Sequence, residues 1–283
     1  MTNSRGFSLI ELIIVMVVIG IIAAVVAVFI TGPVSGYVDA NRRAQLSDSA
    51  DITMRRISRD LRLALPNSVR VGGGNSFLEF IPTTAGSRYR TEGGGGVDEL
   101  KFTGNDSSFD YFGTSLEGET GYVIVFNTGQ RSLSANCNAA PGGADAYEGC
   151  NRSLITAITA SNVAMNSIHL RLESPGKRFH IVPLTGPVTL ACEGAGVNAA
   201  GDGTGTLKIY SGYDTGTGDW GNTAPSAAPG GTSSFLAQYV SGCAFIYTPG
   251  VTATNGLVTL RLALTRSNET VTLHHQVHVD NAP

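Results

Sequence analysis

The chain has 283 residues, 42% hydrophobic, only 14% charged and with 36 glycines, a profile that permits a sizeable core and suits a β-rich, loop-rich protein better than a helical bundle. The net charge of −3 is unevenly spread: residues 1–70 carry eight Lys/Arg against five Asp/Glu, and residues 71–283 carry eleven against seventeen. An acidic bulk excludes a broad nucleic-acid surface, so no nucleic-acid partner is expected.

Met1 to Gly6 form a short polar leader with one basic side chain, Arg5. An apolar run of 24 residues follows, from Phe7 to Ile30. As a helix it would be about 36 Å long, enough to cross a hydrocarbon core of about 30 Å. Arg5 and the initiating amine favour an N-inside orientation, a bias that Arg42 and Arg43 beyond the run weaken. A secretory signal peptide has its cleavage site after the apolar region, whereas here the charged leader stops before it. Glu11 lies inside the run, near its start. A carboxylate in a membrane segment is costly and points to function, unless it merely reaches interfacial water.

The stretch Arg5-Gly6-Phe7-Ser8-Leu9-Ile10-Glu11-Leu12 resembles the N-terminus of type IV prepilins and type II secretion pseudopilins. The resemblance implies cleavage between Gly6 and Phe7 by a prepilin peptidase, with methylation of the new N-terminal Phe7. It also implies an assembly role for Glu11, whose carboxylate would pair with the N-terminal amine of a neighbouring subunit. An adjacent ammonium offsets the cost of a carboxylate in lipid.

Gly32, Pro33 and Gly36 then predict a kink or local unwinding, because proline removes a backbone donor and blocks the preceding turn. A second helical pattern runs from Tyr37 to Leu65. Ala50, Met54, Ile57, Leu61 and Ala64 fall on one face, and Pro66 marks the end. The other face carries Arg42, Arg43, Arg55, Arg56, Arg59 and Arg62 among aspartates, with Asp39/Arg43 and Asp51/Arg55 at ion-pairing separation. Such a face is ordinarily solvated, and contact with neighbouring subunits or anionic headgroups is the alternative. The expected organisation is a leader over 1–6, a transmembrane and assembly helix over 7–30, a kink and amphipathic helix over 31–66, and a β-rich head over 67–283.

Beyond Pro66, short runs rich in β-branched and aromatic residues alternate with Gly, Pro, Asn and Ser. Predicted strands are Phe77–Ile81, Glu99–Thr103, Tyr122–Phe126, Ser167–Leu172, Arg178–Pro183, Val188–Ala191, Thr206–Tyr210 and Ala244–Thr248. A terminal hairpin pairs Leu257–Thr265 with Thr270–Val279 around Arg266-Ser267-Asn268-Glu269. Long loops are expected at Gly93–Gly96, Asn136–Gly149, Glu193–Gly205 and Ser211–Ser234. The fold class is α+β: one long N-terminal helix packed on an antiparallel sheet with long loops, as the pilin resemblance also implies. Arg178–Val182, Gly186–Cys192, Gly242–Tyr247 and His275–Pro283 are further similar to J-type minor pseudopilins and to the MshO-type minor pilins of mannose-sensitive haemagglutinin pili.

Cys137, Cys150, Cys192 and Cys243 form no CxxC pair, so they read as two disulfides of an exported domain. Sequence nearness favours Cys137–Cys150 and leaves Cys192–Cys243, with the other two connectivities open. The downstream resemblance strengthens Cys192–Cys243. The histidines His169, His180, His274, His275 and His278 suggest no metal: His274 and His278 would be about 13 Å apart on one strand face. There is no HExxH, GxSxG or phosphate-binding loop, so no enzyme activity and no cofactor are expected. Asp202, Asp214 and Asp219 are weak calcium candidates, since Gly/Asp/Thr composition is ordinary turn chemistry. Trp220 and Tyr213 could stack on sugar rings if exposed, or could pin a long loop to the sheet.

The resemblance implies a minor pilin that initiates or caps a fibre, with a J-type pseudopilin or a glycan-binding tip adhesin as alternatives. Its partners would be other minor and major pilins, the prepilin peptidase and an inner-membrane assembly platform. Its place would be the inner membrane, with the C-terminal domain periplasmic, and then the pilus tip.

Overall fold

A computed structural model of the chain describes residues 8–91, 95–130, 143–213, 220–221, 223–250 and 255–283, with Val28 and Thr31 described by backbone only. Contacts divide the chain into two units, Met1–Asp48 and Ser49–Pro283. One helix, α1 (Leu9–Arg62), runs through the first and into the second. Ser8 starts it: its Oγ accepts from Glu11 N at 3.3 Å, and Glu11 Oε2 accepts from Ser8 N at 3.0 Å. This reciprocal capping box satisfies two amides that would otherwise lack partners at a helix N-terminus. The expected unwinding near Pro33 does not occur, because α1 continues as helix through that residue. Helices in apolar surroundings tolerate an internal proline when nearby side chains take up freed backbone groups, and Ser35 Oγ donates to Gly32 O at 2.9 Å beside it.

In the second unit the apolar face of α1 is buried as the 3.6-residue period requires: Ala50, Met54, Ile57 and Leu61 are all 4% exposed or less. Thr53 Oγ1 ties this face to the sheet by donating to Leu236 O at 2.9 Å. The sheet has seven antiparallel strands in the order β1 (Arg70–Gly72), β2 (Phe77–Phe80), β9 (Val188–Glu193), β10 (Gly205–Ser211), β11 (Thr232–Thr248), β12 (Gly256–Arg266) and β13 (Glu269–Val279). The terminal hairpin closes as expected. Ser267 and Asn268 both have positive φ, 49° and 64°, the backbone of a tight turn matched to strand twist.

Between β2 and β9 the chain builds something the sequence did not suggest. Six further strands close into a barrel in the order β3 (Ala85–Tyr89), β4 (Asp106–Phe112), β7 (Asn162–Ile168), β6 (Arg152–Ile158), β5 (Tyr122–Val125) and β8 (Arg178–Val182). Its interior is packed solid. Phe109 and Phe179 meet edge-to-face at 5.1 Å, flanked by Tyr89, Tyr111, Val163 and Ile181. Where β5 begins, Gly121 has φ 139° and a Cβ there would lie 1.9 Å from Val182 O, so only glycine fits. The single sheet of the α+β expectation is thus a sheet plus an inserted barrel.

Two strand assignments and one loop assignment change. Glu99–Thr103 is not a strand, because Lys101 N is bonded by the Asp106 carboxylate at 2.8 Å instead of by a ladder. Ser167–Leu172 is displaced, its strand being β7, which ends at Ile168. Ser211–Ser234, expected as a loop, ends inside β11, which begins at Thr232.

Candidate functional site

The N-terminal unit presents the most unusual surface. Over Leu9–Ile30 the helix is apolar and uncovered: an 18-residue window has mean hydropathy 3.4 and none of it is buried. Leu9 is 77% exposed and Phe29 76%. Soluble chains rarely expose apolar patches larger than a few hundred Å², so this surface is compatible with apolar surroundings such as a membrane. Glu11 is the acidic residue of its first turn, held by Ser8. Gly6 and Phe7, the expected cleavage position, lie outside the described residues.

Along the rest of α1, Asp51 pairs with Arg55 at 2.7 Å as expected, while Asp39 meets Arg42 at 3.0 Å, one residue short of Arg43. Arg55, Arg59 and Arg62 line a groove of about 670 Å³ together with Met54, Ser58 and His275 of β13.

The sugar-stacking expectation for Trp220 fails. The side chain is 4% exposed, with Arg152 stacked 3.5 Å from its ring centroid and Tyr122 edge-on at 5.5 Å. Together with Leu65, Ile81, Ile124 and Val182 it forms a core where the end of α1, the sheet and the barrel meet. Tyr213 is half-buried, and its hydroxyl donates to Glu79 Oε1 at 2.8 Å. Burial and the neighbouring Glu79 carboxylate push its phenol well above the ordinary value. Glu79 itself is buried and ion-paired with Arg70, whose guanidinium lies 3.5 Å from the Tyr147 ring centroid and donates to the carbonyls of Trp220 and Gly221. These residues pin the Trp220 segment to the sheet. Nothing in the spacing of Arg70 and Glu79 marked them beforehand. A single carboxylate set inside the apolar run Phe77-Leu78-Glu79-Phe80 was the available signal.

Cys192 and Cys243 are bonded, with Cα atoms 6.3 Å apart, within the range disulfides require. Cys150 is also disulfide-bonded, and its expected partner Cys137 lies outside the described residues. Asp202 serves as a turn anchor: its Oδ1 accepts from Ser267 N at 2.7 Å, while Asp214 and Asp219 lie outside the described residues. Among the described residues no group of three His, Cys, Asp or Glu is arranged to hold a metal. His274 and His278 point from the exposed face of β13 and His275 from the opposite face. His169 Nε2 meets Phe102 O at 3.3 Å, and His180, half-buried in the barrel wall, is held down at about 4 by loss of solvent and then by Arg178.

Residues 1–27 match the family model described as the prokaryotic N-terminal methylation motif. No curated protein and no solved structure matches the chain significantly. The match supports a type IV prepilin-like chain and points to a structural, pilin-type protein. With the uncovered apolar helix, it is compatible with anchorage in a membrane.

Proposed function

We propose that this chain is a minor pilin that takes part in building a type IV pilus of the mannose-sensitive haemagglutinin kind, initiating or capping the fibre. One observation carries the reading: the methylation motif, residues 1–27, runs into the apolar first half of α1, where an 18-residue stretch has none of its surface buried. A helix of this kind rests in a bilayer before assembly and against other helices after it. The inserted barrel supports a minor role, since a bulky head would crowd a dense helical array. Cleavage falls between Gly6 and Phe7, Phe7 is methylated, and the Glu11 carboxylate meets a neighbour's amine. The partners are other pilins, the prepilin peptidase and an inner-membrane platform, with the head on the periplasmic side.

A Gly6→Leu variant is expected to remain at precursor mass on a gel. Glu11→Ala should be processed and membrane-inserted, yet recovered in sheared fibres at about a tenth of the wild-type amount or less. Normal incorporation of Glu11→Ala would contradict the charge pairing. A J-type pseudopilin role draws on the same downstream residues, and a deletion strain that keeps its pili but loses protein export would favour it.

A further inference from the structure

The sheet ends on β13, an edge of eleven residues paired with β12 in unbroken register from Gly256↔Val279 to Arg266↔Glu269. Natural edges are blunted by proline, lysine, bulges or brevity. The opposite edge, β1, is only three residues long, whereas β13 has none of these devices. Among the described residues no other strand pairs with its outer side. Its solvent face is polar, with Thr270, Thr272, His274, Gln276 and His278 exposed, and its other face carries half-buried Val271, Leu273 and His275.

His275 borders the groove of about 670 Å³ whose far wall is α1. That wall is basic. Arg55 is neutralised by Asp51, and Asp60 lies within electrostatic reach of Arg59, but neither Arg59 nor Arg62, both exposed, forms a salt bridge within 4 Å among the described residues. A strand added to β13 would send alternate side chains into this groove, on the face shared by Leu273 and His275.

We propose that β13 and the adjoining groove receive an extended acidic segment of a partner polypeptide, which extends the sheet by one strand and sets alternate carboxylates against Arg59 and Arg62. Backbone pairing supplies the attachment and the arginines select the charge. The site belongs to the globular unit and stands whether or not the N-terminal helix assembles as proposed.

The test uses the full chain in non-ionic detergent and a labelled nine-residue peptide alternating Glu with Val or Thr. Saturable binding is expected by fluorescence anisotropy, with slowed amide exchange along β13. Binding should fall about tenfold or more for the Lys counterpart and for R59A/R62A, and should vanish when one edge of the peptide is N-methylated. Equal binding of both peptides, survival of N-methylation, or unchanged exchange on β13 overturns the proposal. Self-association of the chain through β13 without peptide binding would assign the edge to a second copy. Arginine-dependent capture by phosphatidylglycerol nanodiscs alone would assign the groove to headgroups. Either result also overturns it.

Discussion

Burying Glu79 beside Arg70 removes two charges from water at a cost of several kcal/mol per ion, which only close pairing and further hydrogen bonds offset. Here the Tyr213 hydroxyl and the carbonyls of Trp220 and Gly221 provide them. Sequence reading cannot find such a site, because Arg70 and Trp220 are 150 residues apart and meet only once the sheet exists. Trp220 could be weighed both ways from sequence, and burial decided for packing. His180 supplies a pH dependence. Its folded value of about 4 lies below the usual 6.5, so the unfolded chain takes up a proton first. Stability is therefore full above pH 6.5 and is lost as pH falls from there towards 4, by up to about 3 kcal/mol. Urea unfolding midpoints measured across this window should slope for wild type and be flatter for His180→Gln.

At the scale of elements, periodicity served where one face is buried and one solvated. The face from Ala50 to Leu61 and the β12–β13 hairpin follow their sequence patterns closely. Reading failed where polar residues build strands. β4, Asp106-Ser107-Ser108-Phe109-Asp110-Tyr111-Phe112, and the Thr232-Ser233-Ser234 start of β11 have loop composition, yet neighbouring strands supply the partners that local propensity does not. Pro33 failed the other way, since an apolar helix has no better partner for its backbone than itself. The Cys192–Cys243 bond links β9 to β11 across 51 residues of chain. Replacing both cysteines by serine should lower stability by about 4 kcal/mol on loop entropy. Denaturant titration of the variant beside oxidised wild type checks this, both keeping the disulfide of Cys150.

For the molecule as a whole, closure of the barrel was the hidden feature. It depends on pairings such as β4 with β7 and β5 with β8, between strands far apart in sequence, which no local pattern encodes. The barrel and the sheet nevertheless share the core around Leu65, Ile81, Ile124 and Val182. They should therefore unfold as one. Phe179→Ala in the barrel and Leu61→Ala on α1 are each expected to cost about 2–5 kcal/mol and to shift a single calorimetric transition. Two separated transitions would show that the barrel folds independently.

The barrel leaves the sheet after β2 and returns into β9, and those two strands are themselves paired, Phe80 opposite Val188, with Ala85 opposite Ile181 just beyond. Exit and re-entry thus lie side by side, like the two pins of a socket. A different module with adjacent ends could be grafted there without re-threading the sheet, provided it returns apolar side chains to the places of Ile124 and Val182. The same frame could in this way carry interchangeable heads.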